Sequence, residues 1–158
     1  MQPQKFLNEG IDLGAFLTGS IASLSIRRLS DKRPDAIVFT AADNSRLVVQ
    51  SYVQDVVDIE SDLEIGILTF SKNVEKLKDE EVLNLPPILN APREIKKIIT
   101  YENDTCFEVG FQLYTENFLP LIVLSGFVGR LAVFGCGRGS LDCVPEFGAE
   151  HYELIPWL

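Results

Sequence analysis

The chain has 158 residues, 46% of them hydrophobic, and a formal net charge of −9. That is enough apolar material for one compact domain, or for two small lobes sharing a core, and it argues against global disorder. Counting Lys and Arg against Asp and Glu, the charge runs +1 over residues 1–50, −4 over 51–100 and −6 over 101–158, a surplus that repels nucleic acid and anionic membranes and attracts basic proteins.

Met1 to Gly10 lack the charged start and apolar stretch of a secretory signal. Residues Pro3 to Leu17 place Phe6, Leu7, Ile11, Leu13, Phe16 and Leu17 at helical spacing, interrupted by Gly10 and Gly14, which predicts a short or broken N-terminal helix. From Ser20 the period changes toward two. Ile21 to Arg28, Asp35 to Thr40 and Leu47 to Val53 read as strands, divided by the turn-rich segments Ser30 to Pro34 and Ala42 to Ser45.

Asp58, Glu60, Asp62 and Glu64 then stand at alternate positions, with Asp55 just before them and Ile59, Leu63 and Ile65 among the residues between. In or just after a fourth strand, this spacing predicts a row of carboxylates on one face. Such a row suits first a wet face or a guarded edge, and after that docking to a cationic protein. A calcium loop is excluded by detail: counting from Asp58, the sixth and twelfth positions hold Leu63 and Thr69 rather than Gly and Glu.

Val74, Leu77, Val82 and Leu85, among six charged side chains, predict an amphipathic helix over residues 74–85, ended by Pro86-Pro87. Strand signals resume in Glu94 to Tyr101, Cys106 to Tyr114, Pro120 to Ser125 and Arg130 to Phe134. The apolar run from Phe118 to Gly137 has the length of a membrane span, but Arg130, Pro120, Gly126 and Gly129 divide it into two sheet strands. Gly135 to Leu158 shows no clear period and reads as mostly loop. The fold class expected is therefore α+β and β-dominated: two antiparallel β-meanders with an N-terminal helix and a short helical linker. The domain is single, with two similar sub-lobes at about 18–66 and 93–136 joined by 72–92. The halves share a cadence, with Phe39 and Phe111, and Leu47 and Leu119, each 72 residues apart.

Catalytic chemistry is sparse. His151 is the single histidine, which excludes every two-histidine metal motif and leaves one base for any nucleophile triad. Cys106, Cys136 and Cys143 are an odd number with no paired framework, consistent with reduced thiols in a cytoplasmic protein. Gly135-Cys136-Gly137-Arg138-Gly139-Ser140 fails both the dinucleotide and the P-loop patterns, so no cofactor and no metal are expected. Arg27, Arg28, Lys32 and Arg33 form a basic cluster better suited to balancing a hairpin turn or pairing with the acidic strand than to binding nucleic acid. Tyr152 and Trp157 either pack back onto a sheet or anchor a partner.

In size, acidity and the strand-rich layout from Ser20 to Phe134, the chain resembles the immunity proteins of bacterial polymorphic toxin systems. That resemblance implies a non-enzymatic, cytoplasmic protein that binds and occludes a cognate toxin or other basic protein. Asp55, Asp58, Glu60, Asp62, Glu64, Tyr152 and Trp157 would form the partner-binding surface. Two other readings stand beside it. One is a structural subunit, a homodimer joined through sheet edges; the other is a small-ligand binder or enzyme assembled from Cys143, His151 and Arg138.

Overall fold

The computed structural model describes residues 7–8, 10–30, 32–58, 61–72, 75–102, 105–125, 130–134 and 152–157, with the backbone alone described at 7–8, 52–58, 61–66, 102, 105 and 134. The helix expected from Pro3 is shorter than its pattern. Gly10 takes φ +74°, and Asp12 caps the helix that follows by accepting the Ala15 N–H (3.1 Å), so α1 spans only Leu13–Thr18. Leu7–Asn8 form β1, a two-residue strand parallel to Thr69 and Phe70.

The first meander is β2 (Ile21–Arg28), β3 (Pro34–Ala41), β4 (Arg46–Asp58) and β5 (Ser61–Lys72), each antiparallel to the next. Its first two turns share one construction. Leu29 N–H donates to the Arg33 carbonyl (3.0 Å) as Ala41 N–H does to Ser45 (2.8 Å), with Lys32 (φ 64°) and Asn44 (φ 70°) in the left-handed position that such hairpin turns require. A fifth strand, β6 (Glu80–Leu83), pairs antiparallel with β2 at the far edge, giving the order β1-β5-β4-β3-β2-β6.

The second meander is β7 (Glu94–Glu102), β8 (Thr105–Tyr114), β9 (Leu121–Ser125) and β10 (Leu131–Phe134). It too gains a fifth strand beside its first: β11 (Glu153–Pro156) pairs antiparallel with β7, giving β10-β9-β8-β7-β11. The structure is thus β-dominated, with two antiparallel sheets, one short helix and a 3₁₀ turn at Pro87–Asn90 among the described residues.

One expectation is corrected here. The linker is not an amphipathic helix: Asp79 adopts φ 62°, which breaks a helix, and Glu80 to Leu83 gain a partner strand in β2. Pro86-Pro87 start the 3₁₀ turn rather than end a helix. Of the C-terminal stretch that reads as mostly loop, residues 135–151 and 158 lie outside the described residues, and four residues ending in Pro156 form β11. They are too few to show a period, and a proline is tolerated there because β11 is an edge.

The sheets face each other. β8 and β9 lie against β5, β9 also against β4, and β10 against β3. Leu24, Phe39, Val49 and Phe70 from one sheet meet Phe111, Leu121, Val123 and Val133 from the other, with Leu17, Ile88 and Leu89 of the helical turns completing one continuous core. Phe111 is central, its ring centroid 6.1 Å from Phe39 and 5.9 Å from Phe70, both at tilted angles. Gly110 beside it is a place of close approach, because a Cβ there would stand 2.4 Å from the Val123 carbonyl oxygen.

Two polar devices hold the framework. Because β5 and β6 lie on opposite sides of β4-β3-β2, the chain between them must cross the sheet. Leu77 marks the path, packing on Ala36, Val38 and Val48 of the outer face. Glu80, at the end of this crossing, pairs with Arg46 and accepts the Leu77 N–H (2.9 Å), and both charged side chains are buried. Burial works to raise the Glu80 pKa, but hydrogen bonds from Arg46, Leu77 N–H and Ser25 outweigh it and hold the carboxyl below its ordinary value. The second device is Arg93, which donates to four carbonyls: Leu17 (2.9 Å) and Gly19 (2.7 Å) at the end of α1, and Leu89 and Ala91 (3.1 Å each) at the end of the 3₁₀ turn. Acceptors that a helix end leaves unmet are thereby satisfied.

Candidate functional site

β4 and β5 are the two longest strands described, 13 and 12 residues, and they pair with each other from Leu47↔Lys72 to Asp58↔Ser61. β3 covers β4 only over Arg46 to Gln50. Beyond that point Ser51–Asp58 and Ser61–Leu68 form a two-stranded ribbon within their sheet, its base tied to the second sheet where the Ser51 and Ser125 hydroxyls meet at 2.6 Å.

The acidic row falls on this ribbon, and the register changes its meaning. The sequence pattern suggested one strand with all four carboxylates on one face. Instead the chain reverses between Asp58 and Ser61, so that Asp55 and Asp58 belong to β4 while Asp62 and Glu64 belong to β5. Asp55 is paired directly with Glu64, Val57 with Asp62, and Asp58 with Ser61. Glu60 lies outside the described residues. No Lys, Arg or His occurs between Arg46 and Lys72, so the pairing of like charges at Asp55 and Glu64 has no basic neighbour within the ribbon's own sequence to offset it.

The two aromatic candidates lie against the body of the protein. Trp157 is half-buried beside the main core: Lys97 Nζ stands 5.3 Å from its ring centroid, and a Cβ at Gly14 would come within 3.0 Å of the indole Nε1. Tyr152 is half-buried against a smaller cluster containing Ile67, Ile98, Phe107, Val109 and Leu124. The exposed apolar surface is elsewhere. Phe118 (42% exposed) and Leu119 (66%) project from the β8–β9 turn next to Tyr114, while Val82 (59%) and Leu154 (49%) sit on the edge strands β6 and β11. The sequence signal for the turn site was an aromatic and a leucine placed directly after the turn-forming Glu116-Asn117, where a core strand had no need of them.

The described residues offer little for catalysis. Burial, aided by the charge of Glu108, pushes the Cys106 thiol up, and a hydrogen bond from Tyr101 does not reverse this, so the nucleophilic thiolate is disfavoured. Glu108 is engaged by Lys97 at 2.7 Å. Among the described residues no group of three His, Cys, Asp or Glu side chains is placed to hold a metal ion. Cys136, Arg138, Cys143 and His151 lie outside the described residues. In the basic cluster, Arg27 is held by Asp35 through two bonds (2.7 and 3.0 Å), and Arg28 donates to the Lys32 carbonyl, which is the turn-balancing arrangement expected of it.

Two open clefts flank Arg93 and share Pro92 with it. One, of about 500 Å³, lies along Thr18 to Ile21 and Leu89 to Ala91. The other, of about 460 Å³, lies between Glu94 and the Tyr114 to Asn117 segment. Compared with models of known families, with curated proteins and with solved structures, the chain matches none.

Proposed function

We propose that this is a protein-binding module that neutralises a basic partner, in the manner of a toxin immunity protein, by laying the acidic β4–β5 ribbon over the partner's cationic surface. The observation that carries this reading is the ribbon itself: two strands continued past their neighbour β3, bearing five acids from Asp55 to Glu64 and no base. Strands lengthened in this way add nothing to the pairing of β3, and concentrated like charge opposes folding rather than aiding it. A partner carrying Lys and Arg would relieve that repulsion, speed encounter and set register, while apolar contacts would supply much of the lasting affinity.

The experiment is co-expression with the product of the adjacent reading frame, followed by stopped-flow association of the purified pair at low and high salt. The chain should rescue growth. D55N/D58N/E60Q/D62N/E64Q should stay folded and associate about tenfold more slowly at low salt, with a flatter salt dependence. An unchanged rate and salt slope would remove the ribbon from the mechanism.

A second reading, self-association through sheet edges, draws on Val82 and Leu154 on β6 and β11. Those edges also carry Glu81 and Pro156, both of which oppose edge-to-edge pairing, so the ribbon is preferred. Light scattering of the wild type and of V82K separates the two: a dimer that V82K dissociates supports self-association.

A further inference from the structure

We infer that the cleft between the start of β7 and the β8–β9 turn is a second contact site, a pocket for an arginine or lysine side chain of the basic partner. This rests on the protein-binding reading above and locates part of the affinity that the ribbon's charge does not supply. The pocket is built from register. Glu94 and Tyr114 are the last pair of the β7–β8 ladder, so their side chains leave the same face side by side, opposite to the neighbouring pair Ile95 and Leu113 that turns toward the core. Both are exposed, and together with the exposed Glu116 they border the open cleft of about 460 Å³.

Two exposed carboxylates and a phenol bordering one cleft suit an organic cation, which gains charge attraction and contact with the ring together. The wall does contain a cation, Arg93, but its guanidinium is turned to the carbonyls of Leu17, Gly19, Leu89 and Ala91. Lys96 shares the face one step along, paired with Gln112 and next to Pro156 of β11, and does not line the cleft. Phe118 and Leu119 stand exposed on the same turn, just beyond the residues that line the cleft, where a partner seated there would meet them as well. The arrangement is that of an anchor, in which one inserted residue is held by charge and ring. The ribbon and this pocket would then divide the work, long-range attraction in one place and retention in the other.

The test uses N-acetylarginine methylamide, with its uncharged isostere N-acetylcitrulline methylamide, titrated into the intact protein while backbone amides are followed by NMR. Saturable shifts centred on residues 93–94 and 114–119 are expected, with citrulline about tenfold weaker. Y114A and E116Q should each weaken binding at least about threefold with the spectrum otherwise preserved. Equal response to arginine and citrulline, or saturable shifts confined to the ribbon, would overturn the pocket. The ribbon reading is judged separately, because the five-fold ribbon variant should leave arginine binding here unchanged while slowing association with the whole partner. If that variant abolishes the shifts at 114–119, the pocket is not a site of its own.

Discussion

The two sheets follow one plan and diverge in one respect. Each begins after a short helical turn, runs as a four-stranded antiparallel meander, and places a fifth strand beside the meander's first: β6 on β2, β11 on β7. In the second sheet the third and fourth strands, β9 and β10, are five and four residues long. Their counterparts β4 and β5 are 13 and 12. The added length carries Ile67 and Leu68 into the core at its base, and beyond them its two strands pair only with each other among the described residues. Where one scaffold is used twice and one copy is extended, the extension is the natural place to look for function, and here it is also the most acidic segment of the chain.

The comparison breaks most severely at the core that both sheets share. Phe111→Ala would remove the ring that Phe39 and Phe70 both touch, costing about 4 kcal/mol, and urea unfolding should show a single transition moved to lower denaturant. If one half melted alone, the two sheets would be separate units. Next is the attachment of β6, the fifth strand of the first sheet. Glu80→Ala would strand Arg46 with no carboxylate in a buried site, at a cost of about 3 kcal/mol. The wild-type contribution also depends on pH in a defined direction. Because the folded carboxyl lies below its ordinary value, the stabilisation is complete above the unfolded-state pKa and is lost as pH falls through the folded value. An E80Q variant should therefore lose less stability on acidification than wild type.

In the second sheet, Gly110→Ala should cost about 2 kcal/mol, since the new methyl would press on the Val123 carbonyl and the Leu124 side chain and force β8 and β9 apart. The smallest effect belongs to the partly exposed turn of the first sheet. Asp35→Asn releases Arg27 from a two-bond ion pair and should cost about 1 kcal/mol or less, reduced further by salt. An Asp35 effect as large as that of Glu80 would show that burial does not distinguish these two pairs.

The meanders were readable because strands such as Leu47-Val48-Val49 and Leu121-Ile122-Val123 lie between turns rich in Asp, Asn, Ser and Gly. Elements fixed by distant partners were not. Val82 is spaced like a helical residue, yet its segment becomes a strand because β2 presents an open edge and Glu80 is drawn to Arg46, 34 positions away. The equivalence drawn between Leu47 and Leu119 fails at the turn. Leu47 is fully buried in β4, whereas Leu119 is the most exposed large apolar residue described, two positions before β9 begins. The acidic pattern was visible in full, but a period of two does not reveal a hairpin: Ile59-Glu60 has none of the glycine or asparagine that usually signals so tight a reversal. Nor could the sequence show that Trp157 would meet Lys97 and Gly14.

Arg93 carries a consequence for the order of events during synthesis. Residues Leu17 and Gly19 end their helix with carbonyls whose partner is 76 and 74 positions away, so the amino-terminal half leaves the ribosome with that helix end dependent on water. The first sheet can pair its strands as they emerge, yet the seam beside α1 stays unsealed until residue 93 and the face of the second sheet arrive. A chain ending near residue 90 would accordingly lack both this guanidinium and the sheet that covers the apolar face of the first.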